Sequence, residues 1–408
     1  MPHMSLTRRD WLAGVCGAIA ALPRTRLEAQ DGATVRIATV IREYEAQGFH
    51  RTATGVDHAS GQWLAAQAAQ AGVTSALEPF DVSRVDPLVS TLEGSGRRIS
   101  GLPLFDGAFT PPEGISGRLG PLNSEAEIGL TETAVNAAAN GALGEARRAN
   151  RHRAIVAITK GRRPGLCPSN ADSFLTPFGP PVLQVSSEEA EWLTFQAGRG
   201  AKVQLVANVA RNATSATNVT VDMPGTDAAL PPIVVMTPRS GWYWCASERG
   251  GGIACWLEIM RTLRHASLKR SVLFVASSGH ELGHLGIDAY IARRAGIVKR
   301  AAAWLHLGAN IGAATDLNNN LLQASDDEMD RLLSGAMATA GLTVARRAPR
   351  ANVPAGEAEA VHRGGGRYVS SIGGSALFHN VIDRGADAVD PPTIARFAAA
   401  YVAVIRNL

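Results

Sequence analysis

The sequence predicts an α/β protein: a mostly parallel mixed sheet with helices on both faces, plus a β-rich insertion. Three observations lead there. Short apolar runs rich in β-branched residues, such as PPIVVMTP and SVLFVA, alternate with stretches whose apolar residues recur at helical spacing. That is the pattern of a sheet covered on both sides. Residues 93–210 break the alternation with frequent Gly and Pro and closely spaced strand and turn signals. At 271–290, SVLFVASSGHELGHLGIDAY, a buried-strand pattern stops at Ser-Ser-Gly and becomes a helix pattern through Leu282, Leu285 and Ala289. His280 and Glu281 fall at that junction, and the carboxyl ends of strands are where open α/β sheets bind ligands.

Taken in order, residues 1–30 read as an export leader. Thr7-Arg8-Arg9-Asp10-Trp11-Leu12 resembles the twin-arginine signal, and the apolar run Trp11–Pro23 behind it is too short to span a bilayer. A periplasmic or secreted location is expected, with no stable membrane anchor. Replacing Arg8 and Arg9 by Lys together should keep the protein in the cytoplasm; cell fractionation showing normal export would overturn the leader. Residues 31–92 and 211–408 form the α/β domain. It opens helix, loop, helix (GQWLAAQAAQAG, ended at Gly72) and strand (SALEPFDV). The insertion 93–210 follows; its strands ISGRLGPL, RAIVAITKG, PPVLQVSS and AKVQLVANV, with a loop at Cys167-Pro168, resemble a protease-associated domain. The α/β series resumes with NVTVDMPG, PPIVVMTP, the helix GGGIACWLEIMRTLRH, the 271–290 junction, RAAAWLHLGANIG, the helix Asp327–Gly341, RYVSSIGG, and SALFHNVID as strand and loop. PPTIARFAAAYVAVIRNL closes the chain as an amphipathic helix opened by Pro-Pro.

Composition narrows the partners. Of 408 residues 46% are hydrophobic and 19% charged, so the chain is globular. The net charge is +4, but the basic residues are scattered and no basic stripe carries aromatics, which argues against nucleic acid. Cys16, Cys167, Cys245 and Cys255 make no disulfide framework; a single Cys167–Cys245 bridge is the pairing left open.

This order of elements and motifs resembles the zinc-dependent exopeptidase family, which includes zinc aminopeptidases, glutamate carboxypeptidase and glutaminyl cyclase. The resemblance implies a metal centre, so each family position is followed onto this sequence. The first ligand, a His after a strand, falls on Pro238 in VVMTPRSGW, which cannot bind metal. The bridging carboxylate, four residues before a helix-opening Gly, falls on Glu248. The family's Glu-Glu pair, base then ligand, falls on His280 and Glu281. The next ligand falls on Gly308, and the last on His379 of FHNVID. The resemblance therefore implies at most one Zn²⁺ per chain, held by Glu248, Glu281 and His379, with His280 as the proton carrier. Arg249 beside Glu248 offers the opposite outcome, a neutralised carboxylate and no metal.

Other residues have two readings each. His280 and His284 spell HExxH, a zinc motif when both lie on one helix face, while His284 also suits a core histidine. His306 either faces the cleft or is structural. Ser240 or Cys245 with His280 would make a metal-free nucleophile, although Cys245 also reads as a packed thiol. Trp242, Tyr243 and Trp244 suit a wall for substrate or core packing, and Arg239 and Arg249 suit a carboxylate substrate. The functions that follow are a hydrolase or acyl-transfer enzyme on an amide-like or other small polar or peptide-like substrate, a catalytically dead relative that binds a ligand or partner, or a Ser/Cys-His enzyme.

Overall fold

A computed structural model describes residues 21–408, with side chains from residue 32. Arg8, Arg9 and Cys16 of the expected leader lie outside the described residues. Two sheet systems share one pair of strands. β1 (Ser75–Gly94) and β7 (Lys202–Met223) pair antiparallel from Ser75↔Val221 to Gly94↔Val203, forming a ribbon that runs from one body into the other. Around its far end, β1, β2 (Arg97–Pro103), β6 (Val182–Val185), β5 (Ala154–Lys160), β4 (Ile128–Ala134), β3 (Ile115–Pro121) and β7 close on themselves. Leu92, Ile128, Val156, Leu183 and Leu205 are among the apolar residues of its core.

At its near end β7 joins the main sheet, which continues β9 (Val272–Ser277), β8 (Ile233–Pro238), β10 (Ala303–Leu307), β13 (Tyr368–Ile372), β11 (Leu321–Ala324) and β12 (Arg346–Arg347). The central strands β9, β8, β10 and β13 are parallel to one another, so their carboxyl ends share one edge. Residues of the helices Gly251–Leu263, Asp327–Thr339 and Pro391–Asn407 and of Ala21–Glu45 build the main apolar core on one face. Leu285–Ala292, Ile297–Arg300 and Ala358–Arg363 contribute to a second core around Trp304 and Tyr368. Asp390 caps the last helix by accepting from Thr393 N, with Pro391 in its first turn, where a missing N–H costs nothing.

Three expectations change. AKVQLVANV and NVTVDMPG are one strand, because no Gly or Pro interrupts residues 202–223. The boundaries at 92/93 and 210/211 cut through β1 and β7. SALFHNVID forms turns without a strand. β1 tolerates Pro79 and Pro87 because its near half pairs only with β7 and leaves the other edge free; a bulge follows Pro87. Among the described residues no helix is long and apolar enough to cross a membrane.

Candidate active site

The parallel carboxyl edge gathers Arg239 and Ser240 after β8, His280 and Glu281 after β9, and His306 and Gly308 at β10. A single turn of π-helix, Ala246–Gly250, brings in Glu248 and Arg249, and the turns after β13 bring in His379. The loop before the helix Ala358–Arg363 adds Glu357, a residue the sequence reading missed. Cys245, His284 and His379 have positive φ of 53°, 66° and 56°, conformations that cost a non-glycine residue roughly 1–3 kcal/mol and cluster at functional sites.

His280 and Glu281 do not open an α-helix as expected. They sit in a 3₁₀ turn, His280–Leu282, and the α-helix begins only at Leu285. Gly279, Gly283 and His284 are all left-handed, which breaks the helix between the two histidines. The HExxH motif is thus not presented on one helix face, although the two rings lie 4.8 Å apart. At Gly283 a β-carbon would approach the Asp172 carbonyl oxygen to 2.9 Å, so glycine serves both the positive φ and the close approach of the insertion.

The expected three-ligand zinc site is not formed. Glu281 Oε1 accepts from Thr52 N at 2.7 Å, and Oε2 accepts from Ser240 Oγ at 2.7 Å. Glu248 Oε1 has the Arg249 guanidinium at 2.7 Å, and both side chains are buried. Burial raises the Glu248 carboxyl, but the Arg249 charge and the close approach of His379 more than reverse this and hold it at about 2. His379 donates from Nδ1 to the Pro168 carbonyl at 2.6 Å, leaving Nε2 3.3 Å from Glu248 Oε1. A fixed cation already occupies the carboxylate that a metal would need. Among the described residues no group of three or more His, Cys, Asp or Glu side chains could hold a metal ion. Gly308 shows why the opposite half cannot be rebuilt: a β-carbon there would meet Ile372 at 2.7 Å and the His306 ring at 3.1 Å.

The nucleophile reading also fails on geometry. Ser240 Oγ gives its proton to Glu281 and accepts from Thr52 Oγ1 and the His280 N–H, both at 3.2 Å, so its donor and both lone pairs are used. Cys245 is buried, and burial together with Glu248 pushes its thiol well up. Cys167, Cys245 and Cys255 are free thiols. Arg239 is held by Asp57 at 2.7 Å and is fully buried, which makes it part of the scaffold rather than a catalytic group.

Trp242 packs edge-on to Phe105 at 5.3 Å and donates to Asn170 Oδ1 at 3.1 Å. Trp244 packs on Phe49 and under Arg384. Neither forms the expected wall beside His280; Trp242 instead helps hold a loop of the insertion over the site. The same loop is held by Pro168 O to His379, by Ala171 N to Glu281 O at 2.9 Å, and by Asn380 to Pro164 O at 2.9 Å. Trp242→Phe removes one of these bonds. It should cost about 1 kcal/mol locally and speed amide exchange at Ala171. Unchanged exchange there would show that this bond does not hold the loop.

Beneath the loop is a buried cluster of polar side chains. Glu357 Oε1 accepts from Ser277 Oγ and lies 3.7 Å from His280 Nδ1. Gly356 brings that loop down onto the histidines: a β-carbon there would stand 3.0 Å from His306 and 3.8 Å from His280. Among the described residues Arg249 Nη1, His280 Nδ1, His306 Nε2 and Glu357 Oε2 are buried without a hydrogen-bond partner. Burial raises Glu357 to about 7, while burial and then Arg249 hold His280 well below the usual histidine value. Burial and neighbouring charge likewise lower His284 to about 4 and His306 to about 3. His284 lies instead on a neighbouring cavity of about 540 Å³, with Asp172, Asp288 and Glu359.

The architecture is that of the zinc aminopeptidases. The chain matches the zinc aminopeptidase of Bacillus subtilis with a TM-score of 0.74 at 16% identity, over 92% of this chain and 94% of that one. It matches the Peptidase M28 precursor of Shewanella amazonensis SB2B at 0.71 and 14%, over 93% and 95%. The aminopeptidase of Aneurinibacillus sp. strain AM-1 follows at 0.68 and 14%, over 91% and 93%. No family model matches the sequence. No curated protein matches it. The shared fold agrees with the exopeptidase resemblance read from motif order, while the site residues differ as described.

Proposed function

We propose that this chain is an exported peptidase-fold hydrolase of a small peptide-like or amide-like substrate, with His280 and Glu357 as its proton-handling pair. The observation that carries the reading is the clustering of His280, His306, His379, Arg249 and Glu357 at the carboxyl edge of the parallel strands, with buried polar atoms of His280, His306 and Glu357 left unpartnered. Stability alone gives no reason to bury so many unsatisfied groups. Neutral His280 is suited to take a proton from water as it adds to the substrate carbonyl. Protonated Glu357 is suited to give one to the departing amine, so that one water is consumed and an acid and an amine are released. The zinc of the structural neighbours is not carried over, because Glu248 and Glu281 are already committed.

The test is a panel of aminoacyl anilides, dipeptides and simple amides assayed with and without a chelator, beside elemental analysis of the protein. Chelator-insensitive hydrolysis supports the reading. Hydrolysis that depends on bound zinc overturns it. A second reading, a ligand-binding relative, is favoured by the insertion loop that lies over the cluster. It gains if no substrate turns over while a panel compound raises the melting temperature.

A further inference from the structure

The structure assigns to Arg249 the place of the missing metal: its guanidinium is the built-in cation of this centre, so that removing it uncovers a divalent-cation site at Glu248 and His379. Four observations carry this. Arg249 is immobilised, its Nε donating to the Ser240 carbonyl at 2.7 Å and its side chain fully buried. It sits in ion-pair contact with Glu248, the one carboxylate retained from the bridging position that the resemblance implies. His379 Nε2 stands on the same Glu248 oxygen, at 3.3 Å, with its Nδ1 proton fixed by Pro168. An imidazole held in this way has its other nitrogen free to bind a metal. Finally, the Arg249 charge is felt by His280, His284, His306 and Glu357 alike, the electrostatic reach expected of a central cation.

The chemistry explains why both cations are not held together. A guanidinium has no lone pair for a metal and would repel a divalent ion, while a buried carboxylate is strongly destabilised without a positive partner. One positive group is therefore required and a second is excluded. Arg249 supplies the charge without loading or loss of an ion, and its Nη1 remains buried and unpartnered. In turnover that N–H would face the oxyanion that forms when water adds to the substrate; this part rests on the hydrolase reading, whereas the exchange of cations does not.

The experiment uses the purified protein. Zn²⁺ binding is measured by titration calorimetry and elemental analysis for wild type, Arg249→Lys and Arg249→Ala, with melting curves at each zinc concentration. Arg249→Ala is expected to take one Zn²⁺ per chain, roughly tenfold or more tighter than wild type, and to melt higher when zinc is present. Wild type and Arg249→Lys should show neither effect. A second variant covers a poorly folding Arg249→Ala: Arg249→Ala with Glu248→Gln removes both charges, so it should melt above Arg249→Ala and ignore zinc. Wild type that binds zinc as tightly as Arg249→Ala overturns the proposal. So does a folded Arg249→Ala that binds none, or a double variant no more stable than the single one. If these outcomes hold while no substrate is ever hydrolysed, the cation exchange stands and only the hydrolase reading falls.

Discussion

Glu357→Gln should lower kcat by roughly 10²–10⁴-fold, the range for removing a positioned acid, with little change in KM. The amide matches the carboxylic acid in shape but cannot give up a proton. The wild-type profile should fall as pH rises through about 7, where Glu357 ionises, while His280, held low by burial and Arg249, stays neutral throughout. The sign for stability is the same. A carboxyl whose folded value is raised contributes stability that is fully present below its ordinary value of about 4.5 and lost as pH rises to about 7. Glu357→Gln should flatten that slope in melting curves. Ser277→Ala separates positioning from chemistry: burial raises Glu357 and the Ser277 hydroxyl opposes it, so losing the hydroxyl should move the falling limb to higher pH and leave the acid in place. A Glu357→Gln enzyme with wild-type turnover, or a profile flat across neutral pH, would remove Glu357 from the mechanism.

Fold and site were legible to different degrees for physical reasons. The parallel strands β8 and β9 stand out in sequence because burial on both faces makes each a nearly continuous apolar run, whereas β10 carries His306 and β13 carries Ser370 and Ser371. The junction after β9 was legible because Ser-Ser-Gly interrupts such a run. Glu357 was not, because it arrives from a loop far along the chain and VPAGEAEAV carries no periodic signal. The left-handed Gly356 that lowers this loop onto His306 and His280 is visible only in three dimensions. Arg239 and Arg249 show the same difficulty. Each is a buried arginine that looks like a solvated charge in sequence, and what distinguishes it is a distant carboxylate or a fixed carbonyl. Trp242 has two readings in sequence for a related reason. An aromatic run after a strand suits a substrate wall or core packing, and the choice depends on where the insertion's loop comes to rest.

The other large effect lies in the scaffold under the site. Asp57→Ala should destabilise the protein by about 3–5 kcal/mol, the range for orphaning one member of a buried ion pair. Asp57 Oδ1 receives Arg239 Nη1 at 2.7 Å, while Oδ2 receives Ala53 N and Ser278 Oγ, each at 2.8 Å. Removing the carboxylate therefore strands a buried guanidinium and two further donors at once. Arg239 is also bonded to the Thr217 carbonyl of β7, and its own carbonyl accepts from Tyr44, so the loss spreads to the strand and helix that flank the site. Asp57→Asn keeps the volume and one acceptor and should lose less. Asp57→Ala with Arg239→Met, which removes the stranded charge and refills its space, should recover a large part of the loss. Urea unfolding followed by tryptophan fluorescence measures all three. An Asp57→Ala protein within about 1 kcal/mol of wild type would mean that the Arg239 charge is relieved by water and that this pair does not support the site.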